Sequence, residues 1–128
     1  MSAHDDSRPQ SNQTLNKEEE DAKKRRIRAL NTSLRKTLKG GRLTSTAGFY
    51  HLGGPLRERF FQAVSDFNDF NLDNDPFDEH DFGKVEIDGV TVFWKIDYYD
   101  IDLSGHSPDP SCPEVTQRVL TLMLAAEY

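Results

Sequence analysis

The sequence predicts an α+β fold in which helices pack on one face of a small, mainly antiparallel sheet. Three observations predict it. Apolar residues at three- and four-residue spacing mark two amphipathic helices, an Asp-Gly pair between alternating apolar residues marks a hairpin, and apolar residues near the C-terminus recur at helical spacing. The expected order is α-β-α-β-β-α, preceded by a disordered tail over residues 1–16.

The tail offers no apolar run and is mostly polar, with a lone Leu15 near its end. From Lys17 to about Lys39, Ile27, Leu30, Leu34 and Leu38 form one stripe on a 3.6-residue period. The acids Glu18 to Asp21 suit the start of such a helix, Lys36 and Lys39 suit its end, and Gly40-Gly41 stops it. Arg42 to Phe49, with β-branched Thr44 and Thr46, reads as a short strand. Gly53-Gly54 breaks the chain, and Pro55 opens a second helix whose apolar face is Leu56, Phe60, Ala63, Val64 and Phe67.

Asn68 to Phe82 is rich in Asp and Asn and contains Pro76, so it is a loop, and Phe70, Phe77 and Phe82 are expected to pin it to the core. Lys84–Ile87 and Val90–Tyr98 flank Asp88-Gly89 as a hairpin. Counting outward from the turn pairs Ile87 with Val90 and Val85 with Val92, and puts Trp94, Ile96 and Tyr98 on the same apolar face. Lys84, Glu86, Thr91, Phe93, Lys95, Asp97 and Tyr99 take the other face. Glu114 to Glu127 is expected as a third helix with Val115, Val119, Leu122, Met123 and Ala126 buried, approached through a loop stiffened by Pro108, Pro110 and Pro113.

A length of 128 residues gives one domain, placed at 17–128, with a basic helix over 17–39 and an acidic region over 49–128. The net charge of −6 hides a segregation. Residues 1–48 hold eleven Lys/Arg and six Asp/Glu, net +5, whereas residues 49–128 hold five and sixteen, net −11. Asp66 to Asp109 alone contains thirteen acids against Lys84 and Lys95. Such asymmetry points to a charged partner. No secretory signal or membrane-spanning stretch is visible, so a cytoplasmic protein is expected. The single cysteine, Cys112, excludes an internal disulfide, and with no cation beside it in sequence it is no candidate nucleophile.

Functional groups concentrate at Asp73, Asp75, Asp78, Glu79, His80 and Asp81, and again at Asp97, Asp100 and Asp102. Carboxylates so close together repel unless a metal ion, a cationic surface or solvent compensates. The plainest reading is a solvated rim of turn-forming residues. A calcium loop starting at Asp73-Asn74-Asp75 departs from the EF-hand pattern, which would place Phe77 at its fifth position and Asp78 at its glycine. A catalytic reading uses His80, Asp97 and Lys95 in acid–base roles, or Asp81, Asp97 and Asp100 as magnesium ligands for phosphodiester chemistry. A recognition reading presents Asp73, Asp75, Asp78, Glu79, Asp81, Asp97, Asp100 and Asp102 to a basic groove, with Phe93 and Tyr99 as aromatic anchors. The basic helix residues Lys23, Lys24, Arg25, Arg26, Arg28, Arg35 and Lys36 lack interleaved aromatics, which argues against direct single-strand nucleic-acid binding. They read first as a solvated face paired with Glu18 to Asp21, ahead of contact with nucleic acid or with the protein's own acidic rim.

The strings Asp73-Asn74-Asp75-Pro76, Glu79-His80-Asp81-Phe82-Gly83, Phe93-Trp94-Lys95-Ile96-Asp97-Tyr98-Tyr99-Asp100, Ser107-Pro108-Asp109-Pro110 and Arg118-Val119-Leu120-Thr121 resemble those of a bacterial family, the domain-of-unknown-function family three-seven-six-eight. The resemblance runs from about Ile27 to Tyr128. It implies a bacterial, frequently plasmid-borne protein, and it carries no activity, cofactor or catalytic residues. The resulting expectation is a non-enzymatic acidic protein that engages a basic protein surface, without cofactor or membrane, a nucleic-acid mimic or a mobile-element accessory factor being the sharpest forms. The alternative is a small metal-dependent phosphodiesterase-type enzyme.

Overall fold

The computed structural model describes the backbone of residues 2–128 and the side chains of residues 16–128. Met1 lies outside the described residues, and the backbone of residues 2–16, over which a disordered tail is expected, belongs to the first helix. The elements are α1 (Ser2–Thr37), β1 (Arg42–Ser45), α2 (Ala47–Tyr50), α3 (Gly54–Asp66), β2 (Phe82–Ile87), β3 (Val90–Tyr99) and β4 (Gln117–Leu124), with single 3₁₀ turns at Pro113–Val115 and Ala125–Glu127. The fold is α+β, as the sequence predicts. Its sheet has the order β1-β4-β3-β2, with β1 parallel to β4 and the other two pairs antiparallel.

The hairpin forms in the expected register, Val85 opposite Val92 and Ile87 opposite Val90. Asp88 and Gly89 both take positive φ, 53° and 79°, as a two-residue turn matched to strand twist requires. Val92, Trp94, Ile96 and Tyr98 of β3 are buried and join Leu120 and Leu122 of β4 in the core. Phe60 and Val64 of α3, Phe49 of α2, and Ile27 and Leu34 of α1 cover this face. Gly83 lies against the indole of Trp94, where a Cβ would collide with it.

Two expectations are corrected. The segment expected as a C-terminal helix is strand β4, so the order is α-β-α-α-β-β-β. Its run Gln-Arg-Val-Leu-Thr-Leu-Met-Leu sits between β1 and β3, with Arg118, Leu120 and Leu122 turned to the core and Met123 buried from the other side. Apolar residues at Val119, Leu120, Leu122 and Met123 satisfy a helical spacing as well as a strand, and spacing over so short a run does not separate the two. The second correction concerns Arg35, assigned above to a solvated basic face. It is 3% exposed, while Leu38 of the expected stripe is exposed. The buried face of α1 is Ile27, Asn31, Leu34 and Arg35, a helical stripe half of which is polar. The strand expected over Arg42–Phe49 ends at Ser45, and α2 follows. Among the described residues no helix is long and apolar enough to cross a membrane.

Candidate functional site

The sheet register sets where the acidic residues go. Because Phe82 pairs with Lys95 and Tyr99 with Gln117, the loop before β2 and the loop after β3 leave the sheet at the same end. Both acidic clusters therefore flank one end of the hairpin. The first loop is held by Phe70, whose ring meets Phe67 and Trp94 edge-on at 5.0 and 6.1 Å, so this aromatic pins the loop as expected. Phe82 stacks with Phe93 at 5.4 Å. Phe77 does not pin; it is exposed.

Inside the first loop the acids differ in role. Asp75 is buried, and its Oδ1 accepts the backbone N–H groups of Glu79 and His80 at 2.9 and 3.0 Å. Asp78 is exposed and pairs with Arg28 of α1, which also donates to the Asp78 carbonyl at 3.1 Å. His80 stacks flat on Phe70 with ring centroids 3.8 Å apart. Burial lowers the His80 pKa, helped by Arg28 and Arg35 and opposed by Asp75 and Asp78. Asp73 is exposed, its N–H donated to Asn71 at 2.8 Å.

Glu79 belongs to a network that the sequence reading missed. Its Oε1 accepts the Tyr98 hydroxyl proton at 2.8 Å, Asn31 donates to Tyr98 Oη at 2.7 Å and to the Glu79 carbonyl at 3.0 Å, and Arg118 Nε donates to Asn31 Oδ1 at 2.9 Å. Arg118 also caps the Pro110 carbonyl and lies over the Tyr98 ring at 5.2 Å. Burial is the first cause of the raised Tyr98 pKa and of the lowered Arg118 pKa. The signal that could have found Asn31 is its place four residues after Ile27 on the buried stripe.

Asp81, Asp97, Tyr98, Tyr99 and His106 line a cleft of about 400 Å³ at the same end of the sheet. The Asp81 carboxyl is pushed up to about 6, first by burial and then by Glu79, Asp75 and Asp97, against one lowering hydrogen bond from its own backbone. Asp97 pairs with Lys95 at 3.1 Å on the helix-free face of the sheet, where Phe93 and Tyr99 also lie. Asp100 is turned into its own loop, accepting Ser104 N–H and Oγ–H at 2.9 and 3.0 Å. Asp109 does the same with Ser111, at 3.1 and 2.6 Å. These hydrogen bonds hold both carboxyls below their ordinary range. Asp102 is exposed. Cys112 donates to Glu114 at 2.9 Å, which raises its pKa and suits no nucleophile.

The acids thus surround one end of the hairpin without converging on a single point. Among the described residues, the group that brings three metal-ligating atoms within 4.8 Å of one another is Asp75, Asp78 and His80. Asp81, Asp97 and Asp100 do not form such a group.

A family model described as "Protein of unknown function (DUF3768)" matches residues 45–127. That span holds the hairpin, both acidic loops and β4, and it starts later than the resemblance seen from about Ile27. No curated protein and no solved structure matches the chain.

Proposed function

The chain belongs to the DUF3768 family of proteins of unknown function, and from the placement of its carboxylates we propose that it is a non-enzymatic acidic binding protein engaging a basic protein surface. One observation carries this reading: the loops at one end of the hairpin hold the carboxylates of Asp75, Asp100 and Asp109 in fixed places by hydrogen bonds within the loops themselves, with Asp73 and Asp102 exposed beside them. The same hydrogen bonds lower the Asp100 and Asp109 pKa values and so favour the charged form. An array already ordered loses little conformational freedom on binding. Such an array can imitate the phosphates that nucleic-acid-binding proteins neutralise, so a nucleic-acid mimic is its sharpest form. The setting that suits it is the bacterial cytoplasm, with the gene on a mobile element.

The basic helix supports a secondary role at most in direct nucleic-acid binding. Arg28 pairs with Asp78, and Lys23 and Arg26 lie near enough to lower the Asp109 pKa, so part of its charge serves the protein's own rim. The test is affinity capture from a bacterial lysate at low and high salt, using the full chain and a variant carrying Asp73→Asn, Asp97→Asn, Asp100→Asn and Asp102→Asn. Basic proteins retained by the parent at low salt, released at high salt and lost with the variant support the reading. Equal retention by parent and variant refutes it.

A second reading, the small metal-dependent phosphodiesterase-type enzyme, is favoured by Asp81, whose raised pKa and position in the cleft beside Asp97 suit a proton donor. Hydrolysis of a chromogenic phosphodiester with magnesium or manganese, lost in Asp81→Asn, supports it. No turnover by the parent removes it.

A further inference from the structure

We propose that the free edge of β2 joins a second copy of this chain, so that two four-stranded sheets become one eight-stranded sheet about a two-fold axis at Val85. β2 ends the sheet, with β3 as its neighbour on one side. It pairs residue for residue with β3 and contains neither a bulge nor a proline, the devices that commonly close an edge to further strands. The other edge strand, β1, is four residues long and carries no acid.

The register decides which groups are free. The Asp81 carbonyl accepts the Ile96 N–H at 2.8 Å, so the hydrogen bonds to β3 fall on Gly83, Val85 and Ile87. The N–H and C=O groups of Phe82, Lys84 and Glu86 then point away from the sheet. Among the described residues no backbone partner meets them.

Antiparallel pairing about Val85 uses these groups: Lys84 and Glu86 exchange N–H···O bonds with Glu86 and Lys84 of the second copy. Both side chains are exposed on the helix-free face, and among the described residues neither takes part in an ion pair. The pairing sets each lysine directly opposite a glutamate, twice over. Moving the axis to Lys84 or to Glu86 sets that residue against its own like charge, which is unfavourable. Charge therefore selects one register.

The helix layer above the edge matches in the same way. Phe60 and Val64 of α3 point into the core, while Phe61 and Ser65 line a cleft with Arg35 and Lys36 of α1. Arg59, Ala63 and Asp66 form one stripe at helical spacing, so they take the flank of α3 turned away from α1, over β2. From there Arg59 reaches Asp88 at the hairpin turn, 2.6 Å away. A two-fold axis at Val85 runs the two α3 helices antiparallel, with the small Ala63 at their approach and Arg59 facing Asp66 of the second copy. This widens a narrow strand contact toward the total of about 1,200–2,000 Å² that stable interfaces bury. The acidic ends of the two hairpins then point in opposite directions, and the dimer presents that surface twice.

The pairing lies apart from the acidic end and does not depend on the binding role proposed above. Sedimentation equilibrium of the full chain tests it, together with Lys84→Glu, Glu86→Lys and the double variant that exchanges both charges. The parent is expected to be a dimer with a micromolar dissociation constant. Each single reversal should raise that constant at least about 10-fold, because two attractive pairs become two repulsive ones. The double variant should restore the dimer, and an equimolar mixture of the two single variants should form heterodimer. Both side chains are exposed, so the reversals leave the fold intact. A parent that stays monomeric at millimolar concentration overturns the proposal. So does a dimer that the single reversals leave undiminished, or one that the double variant fails to restore.

Discussion

Replacing Arg35 with Met should be the most damaging single change on α1. The Arg35 guanidinium is buried between Phe70 and Trp94, 5.5 and 5.3 Å from their ring centroids, and its Nη1 donates to the carbonyls of Val64, Ser65 and Phe67 at 2.8, 3.1 and 2.9 Å. Those carbonyls lie at the end of α3, where regular helical donors run out, and the Val64 carbonyl also accepts the Phe67 N–H at 3.3 Å. Two protons serve three acceptors, so the contact counts as about two charge-assisted bonds at roughly 1.5–3 kcal/mol each. Methionine keeps much of the packing of the stem and removes the donors. Burial lowers the Arg35 pKa, so relief of that desolvation offsets part of the loss. The expected net cost is about 3–4 kcal/mol, a large share of the roughly 5–15 kcal/mol that holds a domain together. Urea unfolding followed by Trp94 fluorescence measures it, and Tm should fall by about 10–20 °C. Lys36→Met is the control, because its exposed bond to Ser65 contributes little. A loss below about 1 kcal/mol for Arg35→Met would refute the view that this buried cation ties α1 to α3.

Three further outcomes are expected. Tyr98→Phe removes the hydroxyl that joins Asn31 to Glu79 and should cost about 1–3 kcal/mol in urea unfolding. Gly83→Ala forces a Cβ into the Trp94 indole and should cost about 1–3 kcal/mol, with a shifted Trp94 emission spectrum. Asp81 binds its proton more tightly folded than unfolded, since its pKa rises from 3.8 to about 6. The folded state is therefore penalised progressively as pH rises through that window, and fully above it. Asp81→Asn should then stabilise the fold relative to the parent at pH 7.5 by about 1 kcal/mol after discounting for solvent screening, seen as a raised Tm, and give no gain near pH 3.5. An equal effect at both pH values would exclude the titration as its cause.

The hairpin was legible because turn and alternation agree: Asp88-Gly89 fixes the register, and Val85, Val92, Trp94 and Ile96 then fall on one face. The α3 stripe was legible for the same reason, with Pro55 at its start and Phe60 and Val64 buried. β4 was not, because its neighbours on both sides lie far away in sequence, Arg42–Ser45 and Val92–Tyr99. A central strand takes its identity from such partners more than from its own periodicity. Asn31 and Arg35 were hidden because polar side chains read as solvent-facing, whereas here each meets groups distant in sequence, Glu79, Tyr98 and Arg118 for Asn31 and the end of α3 for Arg35. Of the candidate site, sequence reading placed the acids at the right loops. It did not show that Asp75 points inward while Asp78 points out to Arg28.

The binding role rests on electrostatics, and electrostatics has a measurable slope. For any basic protein captured by the chain, affinity should be measured against salt concentration for the parent and for the variant neutralised at Asp73, Asp97, Asp100 and Asp102. The expected result is an affinity that falls steeply with salt for the parent, and both a weaker affinity and a shallower slope for the variant. Identical affinity and slope for the two proteins would contradict the assignment of the acidic end of the hairpin as the binding surface.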